Sequence, residues 1–388
     1  MSNKAGNTHA SSALTAGSLH YLCLQATREG QASHAHVREI INGLEHHNWQ
    51  VRLFEPKYSS FDKLPGPLGR LLGFLRAQWQ LWRSSRPDIL YIRAHLAAWP
   101  SALWAYIIGL PVVQEVNGPY EDLFIAWPWT RKAARLFILL IRSQLRWASA
   151  IIAVTPQLAE WARKEAGHSK VFVVPNGANT NLFHPEARTS IELPHPYVVF
   201  FGALARWQGI KTLLEAVKTK EWPSEVRLVV AGDGTERPHI EKAAGYGQVV
   251  YLGLVPYQEM PGIVAGSLAG LSPQIDVSGR AITGLLPLKV LETLACGVPV
   301  IVTDWPGQAD LVRKNRCGLV IPPDDPKALA EAVAYLYYHP EERIAMGERG
   351  RKLVEAEYSW DRCAQMTSEI LAALTRKGPK GIKYRSHG

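Results

Sequence analysis

Residues 284 to 301 run Gly284-Leu285-Leu286-Pro287-Leu288-Lys289-Val290-Leu291-Glu292-Thr293-Leu294-Ala295-Cys296-Gly297-Val298-Pro299-Val300-Ile301, which reads as loop, helix, tight turn and buried strand. Pro287 suits a first helical turn, where its missing N–H has no partner to lose, and Gly297 suits the left-handed residue that ends a helix. A strand apolar on both faces directly after such a helix belongs to a parallel sheet covered on two sides, so the window reads as α/β. Lys289 and Glu292 are three apart and share one helix face. That pair serves either to grip a phosphate and sugar hydroxyls in a cleft, or as an ordinary surface ion pair contributing a few tenths of a kcal/mol.

The same rhythm extends outward in both directions. Upstream, Leu19–Leu24, Val51–Phe54, Ile89–Ile92, Pro111–Val116, Ala150–Val154 and Val171–Val174 read as strands with helical patterns between them. After a linker the pattern restarts at Tyr197–Phe201, Val226–Ala231, Val249–Leu252, Leu268–Leu271, Val298–Thr303 and Leu319–Ile321. The expected organisation is a loose tail at 1–17, a doubly wound domain at 18–185, a linker at 186–196, a second such domain at 197–358, a helix at 359–375 and a basic tail at 376–388. Two such sheets present the carboxyl ends of their strands to a shared cleft, where ligands bind.

With 388 residues and 47% hydrophobic content the chain can bury cores without staples. Cys23, Cys296, Cys317 and Cys363 lack CxxC spacing, which points to reduced thiols, no structural zinc and a cytoplasmic setting. The polar start has no apolar signal core, and Leu96–Val113 and Leu136–Val154 are too interrupted for a spanning helix. Charge is uneven: residues 1–190 hold 20 Lys and Arg against 12 Asp and Glu, residues 191–388 hold 23 against 22. Nine of the 13 tryptophans lie in the first half. Leu68–Arg83 and Pro128–Trp147 read as basic amphipathic helices, whose apolar stripes either pack on a sheet or dock on an anionic membrane surface. No nucleic-acid-binding signature accompanies them.

Two strand-to-helix turns carry glycine. Arg28-Glu29-Gly30-Gln31-Ala32-Ser33 lets backbone approach a ligand, as would any turn of this kind. Phe201-Gly202-Ala203-Leu204-Ala205-Arg206-Trp207-Gln208-Gly209-Ile210 adds Arg206, which can neutralise a diphosphate or simply face water. Arg93 and His95 end the third strand and are candidates for acceptor or phosphate contact.

Five motifs then stand in order: Pro175–Pro185 (PNGANTNLFHP), Phe200–Ala216, Leu228–Pro238 (LVVAGDGTERP), Leu286–Asp304 (LPLKVLETLACGVPVIVTD) and Gly318–Val333. Together they resemble a retaining glycosyltransferase of family 4 with the GT-B fold, over nearly everything from Ser18 to Leu374. The resemblance implies metal-independent transfer of a sugar from a nucleotide diphosphate sugar, a UDP- or GDP-sugar, to an acceptor hydroxyl. The second domain would hold the nucleotide. Glu292 matches the carboxylate that binds the ribose, Gly253 and Val255 lie where backbone meets the base, and Gly30, Gly202, Gln208 and Gly209 line the donor loops. The amides around Leu286 and Leu288, with Lys289 and Arg206, would support the diphosphate where other enzymes use a metal ion.

Three positions depart from the family pattern. Its cation pair falls on Ala203 and Gln208, leaving Arg206, Lys211 or Lys289 to compensate. The first carboxylate of its paired-Glu motif falls on Gly284. Its histidine after the fourth strand is Asn117, an acceptor-binding residue and not a base. The expectation is a hexosyltransferase of polysaccharide biosynthesis, acting on a lipid-linked or polysaccharide acceptor from the inner face of the cytoplasmic membrane. A nucleotide-sugar epimerase of the same plan and a catalytically silent glycan- or lipid-binding scaffold are the alternatives.

Overall fold

The computed structural model describes residues 15–25, 27, 32–57, 66–245, 247–277 and 279–375. Gly30, the first 14 residues and the basic tail at 376–388 lie outside them. Among the described residues, twelve strands form two six-stranded parallel sheets, matching the twelve read from the sequence to within a few residues at their ends. The first contains β1 (Gly17–Cys23), β2 (Trp49–Phe54), β3 (Ile89–Arg93), β4 (Val112–Val116), β5 (Ala150–Ala153) and β6 (Val171–Val173), in the order β2-β1-β3-β4-β5-β6. The second contains β7 (Tyr197–Phe201), β8 (Arg227–Ala231), β9 (Val249–Gly253), β10 (Gly270–Ser272), β11 (Val300–Thr303) and β12 (Gly318–Ile321), in the order β12-β11-β10-β7-β8-β9. Each order reverses once, between β1 and β3 and between β7 and β10. At such a switch point neighbouring connections diverge to opposite faces and leave a crevice at the carboxyl ends of the strands.

The crossovers in the first lobe are α1 (Ala32–His46), α2 (Pro67–Trp82), α3 (Trp99–Ile107), α4 (Glu121–Ala126), α5 (Ala134–Trp147) and α6 (Pro156–Ala166). Those in the second are α7 (Ile210–Ala216), α8 (Arg237–Ala244), α9 (Met260–Ala265), α10 (Leu288–Ala295), α11 (Gln308–Asn315) and α12 (Pro326–Tyr338), followed by α13 (Pro340–Glu357) and α14 (Trp360–Thr375). Apolar residues fill both faces of each sheet, which is why the central strands read as continuous hydrophobic runs: Tyr197, Val199 and Val300 belong to one core, while Val198, Phe200 and Ile301 belong to the core behind them.

The last helix does not stay with the second lobe. Trp360, Cys363, Ile370 and Leu371 of α14 are buried in the same core as Val37, Ile40 and Leu44 of α1. The two helices cross closely at Gly43, where an added Cβ would stand 2.4 Å from Ala364 Cβ. Leu288, at the start of α10, enters this core too and so ties the second lobe to the first.

Candidate active site

In the second lobe the switch point lies beside the Gly202 turn. β7 ends at Phe201, and the chain passes through a 3-10 turn, Arg206–Gln208, into α7. Gly209 joins the two with φ +73°, and a Cβ there would stand 1.9 Å from the Pro273 carbonyl oxygen after β10, so only glycine closes this corner.

Into this corner α10 projects Lys289. Its Nζ donates to Gln208 Oε1 at 2.8 Å and lies 3.8 Å from the centroid of the Phe200 ring. Nζ also comes within 3.6 Å of where a Cβ would stand on Gly202. The side chain is buried, and burial lowers its pKa from 10.5 to about 7, opposed by the charge of Glu292. Glu292, one turn further along, is also buried. It accepts a hydrogen bond from the Tyr257 hydroxyl at 2.9 Å, and burial raises its pKa to about 7 against that bond and the charge of Lys289. Among the described residues no ion pair joins Lys289 to Glu292, so the surface-pair reading of these two is corrected: they sit side by side in the interior with different partners.

The other two cations weighed for this role are both exposed. Lys211 is exposed and lies 3.7 Å from Glu215 on the surface of α7, which corrects its place among the compensating charges. Arg206 is exposed in the 3-10 turn. Gly253 closes β9 with φ +68°, and its carbonyl accepts from Gly232 N–H at 2.7 Å; Val255 packs half-buried against the adjoining core. The Leu286 carbonyl accepts from Asn176 Nδ2 at 2.9 Å, which fixes the approach to α10 from the first lobe.

Gly284, at the position of the family's first carboxylate, has φ +82° and faces the first lobe. A Cβ there would meet Gln157 Oε1 at 2.8 Å and Thr155 Oγ1 at 3.0 Å. The Thr155 hydroxyl in turn donates to the Thr283 carbonyl at 3.0 Å. The space that a carboxylate would need is thus taken by an interlobe contact.

The first lobe brings a buried polar cluster to its own switch point. Glu115 of β4 accepts from the Tyr21 hydroxyl at 2.8 Å and from Asn117 Nδ2 at 2.5 Å, pairs with Arg93, and lies 2.9 Å from His36 Nε2. Burial alone would raise the Glu115 pKa. The charges of His36 and Arg93 and the hydrogen bonds of His36 and Asn117 outweigh it and hold the carboxyl far below the ordinary carboxylate range. Arg93 Nε also donates to Gln25 Oε1 at 2.7 Å, and Glu115 balances its charge inside the lobe. His95 accepts the Ala97 N–H at 3.2 Å, capping a short 3-10 turn, and burial lowers its pKa to about 4, so it is neutral at pH 7. His36 Nδ1 lies 3.2 Å from Asn176 Oδ1, which links this cluster to the Leu286 carbonyl and α10.

Sequence reasoning passed over His36, Glu115, Asn176 and Tyr257. Glu115 carried a signal: a lone carboxylate in the strand Val112–Val116 must be paired to be buried. Asn176 lies within the quoted motif Pro175–Pro185, whereas His36 and Tyr257 meet the site through tertiary packing and nothing in their local sequence marks them.

Comparison with known proteins bears on the family and the fold. Residues 33–182 match the family model described as Glycosyltransferase Family 4, and residues 195–339 match that described as Glycosyl transferases group 1. The chain is 25% identical over 280 residues to the alpha-D-kanosaminyltransferase of Streptomyces kanamyceticus, covering 68% of this chain and 70% of that protein. It is 28% identical over 211 residues to a GDP-mannose-dependent alpha-(1-6)-phosphatidylinositol monomannoside mannosyltransferase of Mycobacterium tuberculosis, covering 51% of this chain and 54% of that one. The match thus spans little more than half the length of some of these relatives. Among solved structures, sucrose-phosphate synthase from Thermosynechococcus elongatus superposes with a TM-score of 0.74 at 18% identity, covering 92% of this chain and 98% of that chain. HepE from Anabaena, in complex with UDP and glucose, gives 0.64 at 18% identity, covering 92% and 99%.

Proposed function

Because the chain belongs to the family 4, group 1 glycosyltransferases and has their GT-B fold, we propose that it moves a sugar from a UDP- or GDP-sugar to a hydroxyl of a lipid-linked or polysaccharide acceptor, with retention of configuration and without a bound metal. The observation that carries this reading is Lys289, a buried cation held over the Gly202 turn with Glu292 one helical turn behind it. Lys289 contacts the donor diphosphate, helped by Arg206 and by the backbone around Leu286 and Leu288 at the start of α10. Glu292 accepts from the ribose hydroxyls, and Gly202, Gln208, Gly209, Gly253 and Val255 shape the nucleotide side. Asn117, Arg93 and His95 border the acceptor side; His95, neutral at pH 7, serves by hydrogen bonding.

Front-face displacement suits these residues. The bond from the anomeric carbon to the diphosphate breaks, the acceptor oxygen bonds to that carbon on the same face, and its proton passes to the departing phosphate oxygen. Lys289 stabilises the charge that develops on the diphosphate, and no protein base is needed. The enzyme works peripherally on the inner face of the cytoplasmic membrane, attached through its basic, tryptophan-rich first lobe. Among the described residues no helix is long and apolar enough to cross a membrane.

A panel of UDP-, GDP- and ADP-sugars read by thermal shift tests the donor class. Slow donor hydrolysis without acceptor, lost in Glu292→Ala, supports transfer. Binding of none of the panel overturns the proposal, and interconversion of the donor sugar without transfer assigns an epimerase instead.

A further inference from the structure

Helix α2 turns its apolar stripe away from the sheet. It buries Ala77, Gln78 and Leu81, and leaves Leu68, Leu71, Leu72, Leu75, Trp79 and Trp82 exposed by between 37 and 71% of their surface. Their spacing puts all six on adjoining turns of one side. Arg70 lies 5.4 Å over the Trp127 ring and so joins the start of α2 to the segment where Trp127, Trp129, Leu136 and Leu139 are also exposed. An apolar ridge of this extent on a protein surface marks something that covers it.

Charge identifies what does. Residues 66–87 hold four Arg and residues 127–147 hold four Arg and one Lys, with no Asp or Glu in either. Arg76, Arg131, Lys132 and Arg135 stand exposed beside the ridge. A second copy of the chain would set this cationic face against itself, whereas the boundary between anionic headgroups and acyl chains satisfies both halves of the pattern. Leucines enter the acyl layer, tryptophans sit at its edge, and arginines extend back to the phosphates.

We propose that α2 and the segment from Trp127 to Leu139 insert their leucines and tryptophans below the headgroups of an anionic bilayer, so that apolar burial, and not charge alone, holds the first lobe in place. The proposal rests on the peripheral attachment given above and adds its depth and driving force. Charge attraction brings the protein to the surface and is screened by salt; the inserted side chains then resist release, because their transfer from water is insensitive to a short screening length.

The test uses the full chain with vesicles of phosphatidylglycerol and phosphatidylcholine in equal parts, some carrying bromines on the acyl chains. Binding in low salt should survive a wash at about 1 M salt, where the screening length is about 3 Å. Tryptophan emission should shift to the blue and be quenched by the brominated lipid. The triple variant Leu71→Gln, Leu72→Gln, Leu75→Gln should lose at least about ten-fold in partitioning and all salt-resistant binding, with donor hydrolysis unchanged and the thermal midpoint little changed, since about half of each side chain is already in water. Arg76→Gln with Arg131→Gln and Arg135→Gln should weaken low-salt binding and spare the quench. Complete release by salt with no quench overturns insertion and leaves electrostatic attachment standing. No binding even in low salt overturns both. Concentration-dependent dimerisation abolished by the same leucine changes assigns the ridge to a second copy and overturns the proposal.

Discussion

Lys289 Nζ donates to Gln208 Oε1 at 2.8 Å, and the two residues lie 81 positions apart in the chain. Where the family pattern has a cation, this protein has an uncharged amide, and the charge arrives from α10 to meet it. An amine thus stands over the Gly202 turn, in the interior, where burial lowers its pKa to about 7.

Donor binding should therefore take up a proton. A diphosphate beside Lys289 favours the ammonium form and raises a pKa that burial has lowered to about 7. Calorimetry of nucleoside diphosphate binding at pH between about 7 and 8, in buffers of different ionisation enthalpy, should show net uptake, and Lys289→Met should abolish it. The same change should weaken the donor about ten- to hundred-fold, the loss expected of a hydrogen bond to a charged group.

Stability should move the other way. The folded pKa of Lys289 lies below the unfolded one, so between about 7 and 10.5 the unfolded chain binds more protons, and the penalty of the buried ammonium is relieved as pH rises through that window. Lys289→Met should consequently leave the thermal midpoint equal or higher, with the largest gain near pH 6. A clear fall in the midpoint at that pH would contradict the burial penalty.

Glu292 carries the opposite limb of the pH dependence. Burial raises its pKa to about 7, so its carboxylate form gains population as pH rises, while the Lys289 ammonium declines. Turnover at low donor concentration should trace a narrow bell around pH 7, whose two apparent pKa values belong to the pair. Glu292→Gln should flatten the acidic limb and cut activity about ten- to hundred-fold, and Tyr257→Phe, which removes one hydrogen bond to that carboxylate, about five-fold.

Restoring the family's missing carboxylate should fail. Gly284 has φ +82°, and a Cβ would meet Gln157 Oε1 at 2.8 Å and Thr155 Oγ1 at 3.0 Å. Gly284→Glu should cost about 1–3 kcal/mol of stability and lower activity. Adding Gln157→Ala should recover part of the loss, since it removes the nearest clash and leaves the Thr155 contact and the backbone strain. Denaturant midpoints of the single and double variants measure both terms.

Glu115 should hold the first lobe together above the acid range. Its folded pKa is depressed, so the stability it contributes is present above the unfolded value near 4.5 and is lost as pH falls below it. Glu115→Gln leaves Arg93 buried without its counter-charge and should cost about 3–5 kcal/mol at pH 7. Arg93→Met combined with Glu115→Leu should cost less than that single change, because no charge is then stranded. Urea titrations at pH 7 and in the acid range test both statements.

The strands were legible because parallel sheets covered on both faces demand unbroken apolar runs, and chains such as Tyr197–Phe201 have no other use for them. Lys289 and Glu292 were legible as neighbours on a helix face, but their separate partners were not: Gln208 and Tyr257 come from remote loops. The stripe from Leu68 to Trp82 was equally compatible with a sheet and with a lipid surface, since helical periodicity defines a face without saying which way it turns. Gly284 could be read as a missing side chain, yet only the neighbouring Thr155 and Gln157 explain why none fits.

The crossing of α14 over α1 at Gly43 and Ala364 has a consequence for synthesis. A ribosome delivers the six strands of the first lobe early, while the helix that completes their core emerges only after the second lobe has been made. The lobe begun first is therefore finished last, and a nascent chain stalled before Trp360 would show a greasy groove along α1 to any chaperone waiting at the exit tunnel.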